Sequence, residues 1–218
     1  MAKLFVMLGL PGSGKSYEAN LLAKKENAEI YSSDSFRLKM NLNAESSKQN
    51  NDLFDLMYKQ IRLELDSGNN IILDATNTYY KFRLKLYKEL VGCEAKKICV
   101  FVLRKYENCL IANRNRENYI DENVITKFYK ELDVPYIDEP FDEIILKYTD
   151  NDNNTLGSLT GNIEKDIKTI YENNKDFDLL NDDEQNLFKN ICSYNCLFYQ
   201  YDDEKYKMNL AYLIAKGQ

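Results

Sequence analysis

Gly9-Leu10-Pro11-Gly12-Ser13-Gly14-Lys15-Ser16 reads G-x-x-x-x-G-K-S. The octet follows an unbroken apolar run, Leu4-Phe5-Val6-Met7-Leu8, suited to a buried strand. It precedes a helical pattern in which Glu18 comes early and Leu21 and Leu22 lie one turn after Tyr17 and Ala19. Strand, glycine-rich turn and helix in that order are the context a phosphate-binding loop requires. Gly9, Gly12 and Gly14 can take backbone conformations denied to residues with a Cβ, so consecutive N–H groups turn inward around an anion, and the helix adds the positive end of its dipole. The expected nucleotide site is therefore Gly9, Pro11, Gly12, Ser13, Gly14, Lys15, Ser16 and Tyr17. Lys15 is placed to reach the β- and γ-phosphates, and the Ser16 hydroxyl to ligate Mg²⁺.

A chain of 218 residues has room for one sizeable α/β domain and a small appendage. Its 44% hydrophobic and 29% charged residues are ordinary for a soluble globular protein. No apolar run approaches the ~20 residues that cross a bilayer. Lys3 and the short apolar run mimic a signal peptide, but the loop occupies the place of any cleavage site, so the expectation is a cytoplasmic protein with no membrane partner. The five cysteines, Cys93, Cys99, Cys109, Cys192 and Cys196, form no paired framework and read as reduced thiols. With no histidine and no second cysteine pair beside Cys192 and Cys196, the cysteines do not read as a zinc site; the lack of histidine also excludes histidine-based catalysis and leaves carboxylates as the natural general bases.

The net charge of −6 is unevenly spread, with 7 basic against 12 acidic side chains in residues 151–218. Residues 81–116 reverse the balance, with 10 basic residues (Lys81, Arg83, Lys85, Lys88, Lys96, Lys97, Arg104, Lys105, Arg114 and Arg116) against Glu89, Glu94 and Glu107. Such a stretch suits a local basic surface for nucleic acid, and equally a solvated helix face.

Downstream, residues 29–33 suit a second strand, with Asp34 and Arg37 where it passes into a helix. Residues 41–51 read as a polar connection, and a long helix from about Ser47 carries Leu53, Met57, Ile61 and Leu65 at four-residue spacing before Gly68. Residues 70–74 are apolar and close on Asp74. A turn, Ala75-Thr76-Asn77, then leads to a helix with Phe82, Leu86 and Leu90 on one face. Strand four is 98–103, helix 106–117 carries Arg114 and Arg116 at its end, and Asp121 caps a helix that turns Val124, Ile125, Phe128 and Leu132 inward. Val134-Pro135 breaks that helix, and 143–146 make strand five. The fold class is thus α/β: a P-loop NTPase of kinase type with a five-stranded parallel sheet. Residues 1–149 form that domain, 150–162 a linker, and 163–218 a small helical C-terminal extension.

Phosphoryl transfer to an alcohol needs cations on the phosphoryl oxygens, a metal ion and a carboxylate able to take the hydroxyl proton. Asp34 and Asp74 are the two acids at strand ends, where ligands of open parallel sheets bind. Arg37, three residues after Asp34, shares its helix face and suits an acceptor phosphate, although the pair also suits a helix cap followed by a surface arginine. Asp74 ends a Walker B-like strand and can hold the Mg²⁺ water shell, or can simply open the turn. Arg114 and Arg116 lie where a lid would close over the nucleotide, and are otherwise helix-end arginines.

GLPGSGKS, SSDSFR, ILDATN, RNR followed by DENVITKFY, and PYIDEPFDEI together resemble, over roughly residues 1–148, the kinase domain of bacteriophage and bacterial polynucleotide 5′-hydroxyl kinases. The resemblance implies ATP and Mg²⁺ as cofactors and Lys15, Asp34, Arg37, Arg114 and Arg116 as catalytic candidates. Asp34 would act as general base on a 5′-hydroxyl, Arg37 would contact the acceptor's phosphate, and a lid arginine the γ-phosphate. Asp34, Arg37, Asp74, Thr76 and Asn77 become the substrate set, Ser16 and Asp74 the metal set, and DNA or RNA 5′ ends the favoured partners. A small-molecule kinase acting on a nucleoside, sugar or antibiotic is the alternative, and a nucleotide-dependent regulatory module a third reading.

Overall fold

Along Lys3–Leu8, strand β1, side chains alternate between two cores. Leu4 and Val6 join Met57, Ile61, Leu65, Ile71 and Leu73 on one face, whereas Phe5 and Met7 join Ala19, Ile72, Ile98, Val100 and Val102 on the other. A strand buried on both faces reads as a continuous apolar run, which is why this one carries no polar alternation. The computed structural model describes residues 1–40, 47–104, 106–133, 135, 139–149 and 155–159.

After β1 come α1 (Lys15–Glu26), β2 (Ala28–Ser32), α2 (Ser33–Met40), α3 (Ser47–Asp66), β3 (Asn70–Asp74), α4 (Tyr80–Glu89), β4 (Lys96–Leu103), α5 (Tyr106–Arg114), α6 (Glu122–Lys130), β5 (Glu143–Tyr148) and β6 (Thr155–Leu159). The strand order is β2-β3-β1-β4-β5-β6, with β1 to β5 parallel and β6 antiparallel to β5. Parallel pairing sends the carboxyl ends of β1 to β5 to one edge of the sheet, so the loop after β1, Asp34 after β2, Asp74 ending β3 and Arg104 after β4 share that edge. In α3, Leu53, Met57, Ile61 and Leu65 are all buried, as their spacing requires, and the helix closes at Gly68, whose φ of 90° and N–H bond to the Leu65 carbonyl form a left-handed cap.

Three expectations change. Residues 155–159, assigned to a linker, pair with β5 in a register that sets Ile144 opposite Leu159 and Ile145 opposite Ser158. A returning strand there covers an edge whose backbone groups would otherwise lie unpaired. Helix α5 ends at Arg114 rather than near 117, so Arg116 falls in a loop. Val124, expected inward, and Phe82, expected on one face with the buried Leu86 and Leu90, are 44% and 38% exposed and border a cavity described below. The expected extension, 163–218, lies outside the described residues, as does Val134.

Arg83 is a fourth departure. Counted in the sequence among the basic residues of a surface stretch, it is fully buried against an equally buried Glu139. Its Nε and Nη2 donate to the two Glu139 carboxylate oxygens at 2.7 and 2.6 Å, and its Nη1 donates to the carbonyls of Asn77 and Asp133 at 2.9 and 3.1 Å. Tyr87 donates its hydroxyl to Glu139 as well. Burial alone would lower the Arg83 pKa, but the hydrogen bonds and charge of Glu139 hold it above the usual arginine value. Arg83→Met is expected to cost about 3–5 kcal/mol of folding stability, since Glu139 would keep a buried charge without its cation. Urea denaturation followed by circular dichroism measures this, and an unchanged midpoint would show that the carboxylate is relieved some other way.

Candidate active site

The turn from β1 into α1 carries positive φ at Gly9 (149°), Gly12 (83°) and Gly14 (96°). At Gly9 and Gly12 sterics add a second demand. A Cβ on Gly9 would stand 2.3 Å from the Val102 carbonyl oxygen, and one on Gly12 2.3 Å from that of Cys109, so β4 and α5 press directly on the loop. Behind it, Gly9 N–H donates to the Thr76 carbonyl at 3.2 Å, and the Thr149 hydroxyl donates to the Ser13 carbonyl at 2.7 Å. Arg104 Nη1 donates to the Gly12 carbonyl at 3.0 Å. The loop is thereby tied to the chain following β3, β4 and β5.

Two cavities open at this edge. The smaller, about 320 Å³, is lined by Pro11, Gly12, Gly14, Lys15, Ser16 and Tyr17 from the loop, and by Asp34, Asp74, Thr76, Arg104 and Arg116 from around it. Gly9 and Ser13 do not line this cavity; the buried Ser13 lines a small space beside Val102 and Leu103 instead. The larger cavity, about 570 Å³, carries Arg37, Asn50 and the rings of Phe54, Tyr58, Tyr79, Phe82, Tyr119 and Phe128. Asp34, Thr76 and Arg116 line both. The Asp34 side chain, 62% exposed, accepts from Arg37 Nη1 at 2.7 Å, and Arg37 Nε donates to Asn50 Oδ1 at 3.1 Å, so the expected acid and arginine do meet on one helix face.

Not every expected residue joins them. Arg114 lines neither cavity; it pairs with Glu122 across the interhelical loop, Nε to Oε1 at 2.6 Å and Nη2 to Oε2 at 3.2 Å. Asn77, at φ 49°, borders the larger cavity, but its amide donates to the Met7 carbonyl at 2.8 Å and so fastens the turn to β1. The basic stretch does not form one patch. Lys96 and Arg104 stand at opposite ends of β4, roughly 25 Å apart at about 3.3 Å per residue, and Lys96 is paired with Glu143. Arg104 and the aromatic wall were missed in the sequence. Arg104 directly follows a buried strand, the position that drew attention to Asp34, and the rings carried only an apolar signal.

Lys15 is buried, and its ammonium donates to the Leu10 carbonyl at 2.7 Å. Desolvation pulls its pKa from 10.5 to about 8, against the opposing pull of Asp74, while the positive charge of Arg116 lowers it further. A desolvated cation held on a neutral carbonyl, inside a cradle of positive-φ glycines, suits a polyanion such as a triphosphate. Ser16 and Asp74 offer oxygen ligands on the same cavity, the donor type Mg²⁺ prefers.

A family profile described as an AAA domain matches residues 4–135, more than half of the chain. The chain belongs to the AAA domain family. No curated protein matches the sequence. Among solved structures, an unliganded sugar kinase from Janibacter sp. HTCC2649 superposes with a TM-score of 0.53 at 14% identity, covering 68% of this chain and 86% of that one. A gluconokinase from Sinorhizobium meliloti 1021 gives 0.51 at 12%, covering 67% and 82%. A chain of the Pnkp1/Rnl/Hen1 RNA repair complex gives 0.53 at 22%, covering 58% of this chain and 42% of that one. At these identities the likeness is one of fold, a P-loop NTPase with a parallel sheet of five strands.

The state of Lys15 makes nucleotide binding to this AAA domain pH-dependent. Above pH 8 the empty loop holds a largely neutral lysine, whereas bound phosphates favour the charged form, so binding takes up a proton and affinity falls as pH rises. Calorimetry in buffers of different ionisation enthalpy reads that proton. Zero uptake above pH 8 would mean that Lys15 is already charged in the empty loop.

Proposed function

We propose that the protein is an ATP-dependent kinase that transfers the γ-phosphate to a hydroxyl of an acceptor seated in the larger cavity. The observation that carries this reading is the pair Asp34 and Arg116, which line both cavities and so stand where donor phosphate and acceptor hydroxyl would meet. In the transfer, Asp34 takes the hydroxyl proton, the acceptor oxygen bonds to the γ-phosphorus, and the bridging P–O bond to the β-phosphate breaks to release ADP. Lys15, Arg104 and Arg116 supply positive charge around the phosphate oxygens. Arg37 holds the Asp34 carboxylate from its other side. Mg²⁺ held by Ser16 and Asp74 would neutralise further charge on the nucleotide.

The favoured acceptor is a polynucleotide 5′-hydroxyl end. Rings drawn from α3, α4 and α6 offer stacking faces for a base, and Arg37, while holding Asp34, adds positive charge on the same wall for an acceptor phosphate. A small-molecule acceptor is the second reading, favoured by the divergence of the basic residues of 81–116, which leaves few cations at the sheet edge to follow a phosphate backbone. Transfer of labelled γ-phosphate onto 5′-hydroxyl oligonucleotides, nucleosides and sugars separates the two. Label on oligonucleotides, falling steeply with salt, supports the first; label on small molecules alone supports the second.

Asp34→Asn is expected to lower transfer by about 10²–10⁴-fold while leaving affinity for an ATP analogue near wild type. Full transfer activity in this variant would remove Asp34 as the base. Arg116→Ala is expected to cost on the order of 10³-fold in turnover, as for arginines that stabilise charge on a transferring phosphoryl group. Arg114→Ala, whose exposed ion pair faces away from both cavities, should stay within about twofold. Equal losses in the two arginine variants would count against assigning the role to Arg116.

A further inference from the structure

We infer that Asn113 is the positioning residue that holds Arg116 in place. The inference rests on the role proposed above for Arg116. Asn113 is fully buried in the last turn of α5. Its Nδ2 donates to the Ile120 carbonyl at 2.7 Å, and its Oδ1 accepts from the Ile120 N–H at 3.1 Å. A reversed amide would set donor against donor and acceptor against acceptor, so the two bonds together fix its orientation. Its own carbonyl accepts from the Arg116 N–H at 3.1 Å.

One residue thus closes the loop at both ends, with Arg116 inside. Of residues 114–120, Arg116 and Ile120 are half-buried and the others exposed, and Arg116 and Ile120 line both cavities. The loop contributes no packed core of its own to hold that arrangement. Its other braces among the described residues include the Asn115 N–H bond to the Ala112 carbonyl at 3.3 Å, the Arg114–Glu122 pair at the surface and the Asp121 side chain, which accepts from Asn123 N–H at 2.7 Å and caps α6. An exposed pair is a weak constraint, and a cap fixes the helix start more than the loop before it. The buried reciprocal pair is the strong one. A long arginine side chain needs its backbone fixed to direct a guanidinium at one point, and displacement of about 1 Å at a reacting centre can cost on the order of 10²-fold in rate. The Arg116 charge already acts on Lys15 in this arrangement.

The test is a double-mutant cycle on Asn113→Ala and Arg116→Ala, read both as the rate of transfer and as the affinity for a non-hydrolysable ATP analogue. A positioning role predicts that Asn113→Ala lowers transfer on the order of 10²-fold. In the Arg116→Ala background the same change should have an effect of no more than about twofold. Asn113→Ser, with thermal midpoints of every variant, guards against a simple folding defect. It keeps a hydroxyl beside Ile120 and buries no charge, so its rate should fall between wild type and alanine, with a thermal midpoint nearer wild type. If Asn113→Ala costs the same factor in both backgrounds, the residue acts independently of Arg116 and the inference is wrong. If wild-type protein phosphorylates none of the acceptors, the kinase reading fails, and the cycle is decided on analogue affinity by the same criterion. If Arg116→Ala alters neither rate nor affinity, there is no Arg116 function to position, and the inference falls with it.

Discussion

The carbonyl oxygens of Val102 and Cys109 lie 2.3 Å from where the Cβ atoms of Gly9 and Gly12 would be, too close for any side chain. Removing those two atoms allows β4 and the start of α5 to come against the phosphate loop, and nearly everything at the sheet edge follows from that approach. Arg104 comes close enough to reach the Gly12 carbonyl, and α5 starts over the loop and directs its carboxyl end, with Arg116 beyond, towards the cavities. Glycine here is a requirement of contact as well as of backbone conformation. The same crowding dehydrates Lys15, which lies buried among these segments with a carbonyl as its partner.

Charge at the edge is arranged in two tiers. Lys15, Arg104, Arg116 and Asp74 surround the smaller cavity, where a polyanion and a divalent ion would balance one another. Arg37, already occupied by Asp34 and Asn50, is part of a mostly aromatic wall in the larger one. Asp34 is the carboxylate common to both. Its exposure would suit a group that the proposed acceptor must reach, and the ion pair with Arg37 restricts where its oxygens point.

How legible this was in the sequence depended on whether a residue's role is local. The loop, the strands and the acids at strand ends were readable, because glycine spacing, apolar runs and strand-end position are properties of a few consecutive residues. The long helix was equally clear, since Leu53, Met57, Ile61 and Leu65 repeat at its own period. Arg83 was not, because its partner Glu139 lies far along the chain and a lone arginine in a lysine-rich stretch looks like solvated surface. Nor was β6, whose partner strand supplies the reason for its existence and whose own residues sit in a polar surrounding. Choosing between Arg114 and Arg116 needed the end of α5, and a two-residue shift in a helix terminus moves a side chain from a cavity to an ion pair with Glu122.

Arg83 and Arg104 also bear on how the segment between β4 and β5 can move. Arg104 ties the entry of that segment to the phosphate loop through the Gly12 carbonyl. At its exit, Arg83 holds the carbonyls of Asn77 and Asp133 together, Asp133 N–H donates to the Thr78 carbonyl at 2.8 Å, and the Asp133 carboxylate accepts from Tyr80 N–H at 2.9 Å. Entry and exit are therefore each bolted to a turn that lines a cavity. A rigid swing of α5 and α6 about distant hinges would have to break part-buried hydrogen bonds at both stems, from Arg104 to the Gly12 carbonyl and from Arg83 to the Asp133 carbonyl. Turning of the mostly exposed side chains of residues 114–119 would break none of them. Reorientation at this end of the cavities is accordingly left to the Arg116 side-chain torsions, over a backbone that Asn113 ties to Ile120 and to Arg116 itself.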